Sequence, residues 1–149
     1  MKFRKANQAD EDGIRSCAED AYEQYVSAIG KKPAPMVADF GRQIAEEYVH
    51  IALDENDEIA GFIVYFQRGN HMFLENVAVK SAAAGRGTGK ALIALCEGEA
   101  GRLGLASIQL YTNEKMTENL SIYPHLGYQE TGQREESGFK RVYFMKQLI

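Results

Sequence analysis

Three glycines stand at alternate positions in "VAVKSAAAGRGTGKALIAL", Val77 to Leu95. They are Gly85, Gly87 and Gly89, with Arg86 and Thr88 between them and Lys90 directly after. Glycine lets a backbone turn its N–H groups inward with no Cβ in the way. A helix start adds unpaired N–H groups and the positive end of the helix dipole. From Asn76 through Cys96 there are three basic residues (Lys80, Arg86, Lys90) and no acids, in a chain of net charge −4. This is chemistry for a bound anion, a phosphate or pyrophosphate. The plain alternative is a tight strand-to-helix corner with solvating cations.

Two familiar phosphate loops fail on the letters. The nucleotide P-loop needs GxxxxGK[ST]. Gly89-Lys90 is present, but Ala84 stands where the first glycine should be and Ala91 where the hydroxyl should be. In the dinucleotide pattern GxGxxG the third glycine falls on Lys90 or Leu92, depending on the start. That fingerprint also belongs near the start of a βαβ fold, not after several antiparallel strands. A second chemical group lies just upstream. Glu75 is an acid inside an apolar strand run, where burial raises a carboxyl pKa toward the range of a general base. It shares strand parity with Val77 and Val79. His71 and His50 are weaker candidates for the same work.

Several elements must position these residues. Lys2 to Ala6 reads as a first strand. Asn7, with Asp10 three residues later, marks a helix start. Ile14, Cys17, Ala18, Ala21, Tyr22 and Tyr25 recur at helical spacing. "GKKPAP" (30–35) breaks that helix. Val37, Phe40, Ile44 and Tyr48 predict a second amphipathic helix, followed by a strand near Tyr48–Leu53. Ile59 to Phe66 is a β-rich run whose Gly61 suggests a bulge or a close backbone approach. A turn at Arg68–Asn70 leads to the strand Met72–Val79. After the loop, Leu92, Leu95, Cys96, Glu99 and Leu103 predict a helix face ending at Gly104. Ser107–Tyr111 is a strand parallel to the one before the loop, because a helix joins them. A short helix spans Thr117 to about Leu126. Pro124 lies inside it and predicts a kink or an early end. Two closing strands follow, Tyr128–Arg134 and Arg141–Lys146. The fold class is α+β: a mixed, mainly antiparallel central sheet with helices on both faces.

Length and composition narrow the function classes. The 149 residues predict one domain, 1–149, able to bury a core without staples. A net charge of −4 argues against a general nucleic-acid binder. Cys17 and Cys96 form no close pair, so no zinc or redox motif is supported and no metal is expected. Both sit on helix faces expected to pack in the core. No apolar run approaches membrane-spanning length and "MKFRKANQADED" lacks a signal peptide's apolar stretch, so no membrane partner and a cytoplasmic location are expected.

The loop resembles the acetyl-CoA loop of the GCN5-related N-acetyltransferases, [QR]-x-x-G-x-[GA], here Ala84-Gly85-Arg86-Gly87-Thr88-Gly89. "LENVAV" (74–79) is similar to that family's fourth strand, and "FRKANQADEDGI" (3–14) to its opening strand and first helix. "NLSIYPHLGYQETG" (119–132) resembles its late motif, with Tyr123, Leu126, Gly127 and Tyr128. The likeness covers nearly the whole chain. It departs at Ala84, where the family carries Gln or Arg. Cofactor binding would then rest on backbone N–H groups, helped by Arg86 or Lys90.

The resemblance implies transfer of an acetyl group from acetyl-CoA to a primary amine by direct attack in a ternary complex. It implies that Gly85 to Lys90 hold the CoA pyrophosphate, and that Val77, Ala78 and Val79 pair their backbones with the pantetheine arm. It implies that Tyr123 protonates the leaving thiolate. Asn119, four residues earlier on the same helix face, is a candidate to bond the pantetheine amides or the helix start, although the family's usual asparagine lies further upstream, where this sequence has Met116. Glu75 becomes the leading base for the acceptor ammonium. Tyr22, Tyr25, Tyr48 and Tyr111 are candidates for the acceptor site. The acceptor is a small-molecule or peptide amine. Net acidity mildly favours a cationic one, such as a polyamine, an aminoglycoside or a lysine side chain. A homodimer follows from family habit alone. The alternative is a non-catalytic acyl-CoA-binding or regulatory module of the same fold.

Overall fold

The computed structural model describes residues 1–149, in which seven strands form one sheet in the order β1-β2-β3-β4-β5-β7-β6. The strands are β1 (Lys2–Lys5), β2 (Val49–Leu53), β3 (Ile59–Arg68), β4 (His71–Val79), β5 (Ser107–Asn113), β6 (Gln129–Glu136) and β7 (Phe139–Gln147). Every neighbouring pair is antiparallel except β4 with β5. The expected α+β class therefore holds, with one parallel pair created by the helical crossover. The helices are α1 (Glu11–Ile29), α2 (Phe40–Ala45), α3 (Thr88–Arg102) and α4 (Thr117–His125).

The two sheet faces carry separate cores. On one, Ile14, Cys17 and Tyr22 of α1 and Phe40 and Ile44 of α2 pack on Ile51, Phe62 and Ala78. On the other, Leu92, Cys96 and Ala100 of α3 pack on Ile63, Leu74 and Ile108. A capped 3-10 turn, Gln8–Asp10, leads directly into α1. Asn7 Oδ1 accepts from Ala9 N–H at 3.0 Å and Asp10 Oδ2 accepts from Asn7 N–H at 2.8 Å. Arg4 holds the same Asp10 carboxylate at 2.8 Å, tying β1 to the cap. Both cysteines are buried, as their helix positions predicted.

Three sequence expectations shift. The second helix is only Phe40–Ala45, because Asp39 caps it through Arg42 N–H at 3.1 Å and Glu47 leaves it with φ +63°. Val37 is outside it and exposed, and Tyr48 lies beyond its end. The α3 face is Leu92, Ile93, Cys96 and Ala100. Glu99 instead turns out to Arg102 at 2.6 Å, and Leu103 is exposed at the C-cap. The helix of the late motif tolerates Pro124 in its last turn and ends at His125.

Gly61 marks a close approach, as expected. A Cβ there would stand 2.8 Å from the Ala78 carbonyl oxygen and 3.3 Å from Leu92 Cδ1. The β3–β4 ladder and α3 meet at that point, directly beneath the glycine loop.

Candidate active site

The site begins as a split in the sheet. β4 pairs with β5 only through His71–Phe73 against Ser107–Gln109. Beyond that, β5 stays with β7 for its whole length and β4 stays with β3. A β-bulge marks the parting. Asn76 pairs with Val64 and Leu74 pairs with Tyr65, so Glu75 is the extra, unpaired residue.

The bulge resets which side chains face which way. Leu74 lies in the α3-side core, and so does Val77, three residues on. Asn76 and Ala78 turn to the α1 side, where Asn76 meets Tyr22 and Ala78 joins the core. Glu75 also turns to that side, where it meets Gln43 of α2. The expected parity of Glu75 with Val77 and Val79 therefore fails, since an inserted residue breaks the two-residue period.

The edge chemistry follows from the ladder. Lys80 N–H donates to the Ala60 carbonyl at 2.9 Å. Alternation along an antiparallel pair then commits the backbone of Ala78 to β3 as well, and leaves those of Val77 and Val79 facing the gap. Of the three residues expected to offer backbone groups to a cofactor, Ala78 is thus turned away. The Val77 carbonyl accepts from the Tyr22 hydroxyl at 2.9 Å.

Past Val79 a 3-10 turn, Ser81–Ala83, leads into the glycine loop. It is fastened to α1, because Ser81 N–H donates to Asp20 Oδ2 at 2.6 Å. Gly85 and Gly87 have φ of +80° and +78°. That left-handed backbone suits glycine, and it aims successive amides to one side. The N–H groups of Gly85, Arg86, Gly87, Thr88, Gly89 and Lys90 have no acceptor within the protein. The first helical bond is Ala91 N–H to the Gly87 carbonyl at 3.0 Å. Arg86 and Lys90 are exposed and enter no ion pair, whereas Lys80 leans toward Glu58 at 4.0 Å. Thr88 is buried with its hydroxyl on Met1 Sδ, so what it offers outward is its N–H. Ala84 is extended, with φ −63° and ψ 150°, and contributes no polar side chain.

A cavity occupies the split. Tyr22, Glu75, Val77, Tyr111, Asn119 and Tyr123 all contribute to it. Tyr123 is 4% exposed, its ring 5.5 Å from that of Tyr128 and 5.7 Å from that of Phe144. Burial, reinforced by nearby Cys96, pushes its phenol pKa well up, so the hydroxyl keeps its proton. The Tyr128 hydroxyl is committed to Glu97 at 2.8 Å and the Tyr22 hydroxyl to Asn76 Oδ1 at 2.7 Å. The Tyr123 hydroxyl has no protein partner. Asn119 Nδ2 donates to Thr112 Oγ1 at 3.1 Å, which anchors it on the β5 side of the cavity.

Glu75 is half buried, and burial raises its pKa, with Arg68 and Arg42 pulling the other way. Gln43 Nε2 donates to Glu75 Oε2 at 2.8 Å, while Gln43 Oε1 is buried without a partner. The other base candidates stand elsewhere. His50 stacks on Tyr65 with ring centroids 5.2 Å apart, and His71 pairs with Ser107 before the strands part. Of the four candidate acceptor tyrosines, Tyr22 and Tyr111 line the cavity. Tyr48 instead stacks on Phe66, and Tyr25 packs against the α1-side core.

Gln43, Asn76 and Arg141 are cavity residues that sequence reasoning missed. Asn76 had a signal, a polar residue inside "LENVAV" that no loop explains. Its Nδ2 donates to the Pro35 carbonyl at 3.0 Å, which turns Oδ1 to Tyr22. Gln43 and Arg141 are ordinary polar residues in their own segments and carry no such mark. No group of three or more His, Cys, Asp or Glu is placed to hold a metal, and no helix is long and apolar enough to cross a membrane.

The family model described as the acetyltransferase (GNAT) family matches residues 14–128. A comparison with curated proteins finds no match. Among solved structures, an acetyltransferase of the GNAT family from Staphylococcus aureus Mu50 is similar over 99% of this chain and 99% of its own, at 14% identity and a TM-score of 0.82. The PaiA N-acetyltransferase of Thermoplasma acidophilum, in complex with coenzyme A, is similar over 99% and 98%, at 14% identity and a TM-score of 0.80. The ribosomal-protein-alanine N-acetyltransferase of Brucella melitensis is similar over 99% and 100%, at 20% identity and a TM-score of 0.75. At such identities the likeness is one of fold.

Proposed function

The chain belongs to the acetyltransferase (GNAT) family, and on that premise we propose that it moves an acetyl group from acetyl-CoA to a primary amine by direct attack within a ternary complex. The observation that carries this reading is the run of unpaired N–H groups from Gly85 to Lys90, continuous with the free edge of β4. Donors aimed at one side of a left-handed turn suit a pyrophosphate. Exposed Arg86 and Lys90 add charge that Ala84 cannot. Bound acetyl-CoA would supply the activated thioester.

The chain's own residues then have these roles. Val77 and Val79 offer edge backbone groups to an extended arm lying in the split. Glu75, its pKa raised by burial, takes a proton from the acceptor ammonium. The amine nitrogen bonds to the acetyl carbon as the carbon–sulfur bond breaks. Tyr123, kept protonated by burial, gives its proton to the departing sulfur. Direct transfer is favoured over an acyl-enzyme because both thiols are out of play. Cys17 and Cys96 are buried, and burial pushes each pKa up to about 12.

An acceptor screen that detects released CoA thiol tests the reading. Thiol release with acetyl-CoA and a suitable amine is expected. Failure of acetyl-CoA to raise the melting temperature, with ATP or NAD doing so instead, would remove it.

A further inference from the structure

Only two charged side chains line the cavity, and they have opposite signs: Glu75 on β4 and Arg141 on β7. In the sheet order β5 lies between these strands, which sets their backbones about 10 Å apart or more. The two make no ion pair. The charges acting on Glu75 come from Arg68 and Arg42, not from Arg141. They can therefore take two separate groups of one ligand.

Arg141 lacks what a guanidinium normally finds. Its side chain is only 13% exposed. It lies over the Tyr111 ring at 4.3 Å and near the Phe139 ring at 5.7 Å. The one carboxylate close to it, Glu136, stands 3.7 Å away, too far for a hydrogen bond. That same Glu136 oxygen already accepts from the Tyr143 hydroxyl. The guanidinium is thus held by stacking and by a loose ion pair with Glu136, and its fork of N–H donors makes no hydrogen bond. The donors keep some access to the cavity, and a carboxylate or phosphate entering it would satisfy them two at a time. The remaining wall, Pro33, Ala34, Pro35 and Ala38, is apolar and suits a carbon skeleton.

We propose that the acceptor is a small amine that also carries an anionic group, as an amino acid does, with Arg141 holding the anion while the amine faces Glu75. This rests on the amine-acetyltransferase reading above. It runs against the mild preference for polyamines or aminoglycosides that net charge suggests, since those would bring a second cation to Arg141.

Matched acceptor pairs test it, with CoA thiol release as the readout. Amino acids are compared with their amides, phosphoethanolamine with ethanolamine, and spermidine is run alongside. The carboxylate and phosphate arms separate the two anions. The acidic member of at least one pair is expected to show kcat/KM higher by about tenfold or more. Arg141→Gln should collapse that ratio toward one, and Arg141→Lys should restore part of it. Losing the stack on Tyr111 alone would slow both members alike, so the ratio is what reports anion recognition. Neutral members or spermidine turning over as well as the acidic ones, or Arg141→Gln slowing both members equally, overturns the proposal. Stabilisation by acetyl-CoA with no amine acetylated at all would instead fell the amine-acetyltransferase reading, and this inference with it.

Discussion

Gln43 of α2 donates its side-chain amide to the Glu75 carboxylate at 2.8 Å, on the one residue of β4 that the bulge leaves unpaired. A hydrogen bond to the ionised form lowers a carboxyl pKa, while burial raises this one. A base works only when ionised, so kcat/KM should fall as pH drops through the Glu75 pKa. Gln43→Ala removes the donor, raises that pKa further, and should move the acid limb of the pH–rate profile to higher pH. An unmoved limb would separate Gln43 from proton transfer. Full activity in Glu75→Gln would end the base assignment.

Tyr123→Phe should lower kcat roughly a hundredfold, the lower range for a lost general acid, while acetyl-CoA affinity changes little. The ring stays packed against Tyr128 and Phe144, so the melting temperature should hold. Because burial raises the Tyr123 pKa, the wild-type rate should not decline through the ordinary tyrosine range at high pH on this residue's account. Undiminished turnover in Tyr123→Phe with a good acceptor would reassign the donor.

Gly87→Asp should abolish the stabilisation that acetyl-CoA confers. No atom lies within 4 Å of a Cβ built at Gly87, so the fold's own loss comes from a left-handed φ of +78°. That costs about 1–2 kcal/mol. Loss of binding comes from a carboxylate placed among the N–H groups of the loop. Thermal shift with and without acetyl-CoA checks both parts. An undiminished shift would show that the anion sits elsewhere.

Gly61→Ala tests the floor of the site. Its Cβ would meet the Ala78 carbonyl at 2.8 Å, and that oxygen is backbone within the β3–β4 ladder. Neither strand can yield without moving the other, so the variant should lose about 1–3 kcal/mol in urea unfolding. It should also bind acetyl-CoA more weakly, because the Val77 and Val79 edge shifts with the ladder. Wild-type stability would show the approach to be slack.

Much of the fold was legible because its signals are local. The Asn7–Asp10 cap, the helical spacing of Ile14, Cys17, Ala18 and Tyr22, and the turn at Gly69 each depend on a few adjacent residues. The helix faces slipped where non-local partners intervened. Glu99 stands at a core-like spacing yet turns outward to Arg102, and Val37 is cut from its helix by the Asp39 cap.

The sequence by itself determined the family and the make-up of the loop: the alternating glycines, the local excess of cations and the late tyrosine are statements about residue order. Tertiary structure alone decided what surrounds them. A single bulged residue turned Glu75 from its expected face toward Gln43, and ladder alternation withdrew Ala78 while leaving Val77 and Val79 at the edge. Arg141, about thirty residues past Asn113 in sequence, became its cross-strand partner and a wall of the same cavity. The physical reason is that strand register and the divergence of β4 from β5 are fixed by the packing of two opposed cores. No short run of letters records which distant side chains that packing brings face to face.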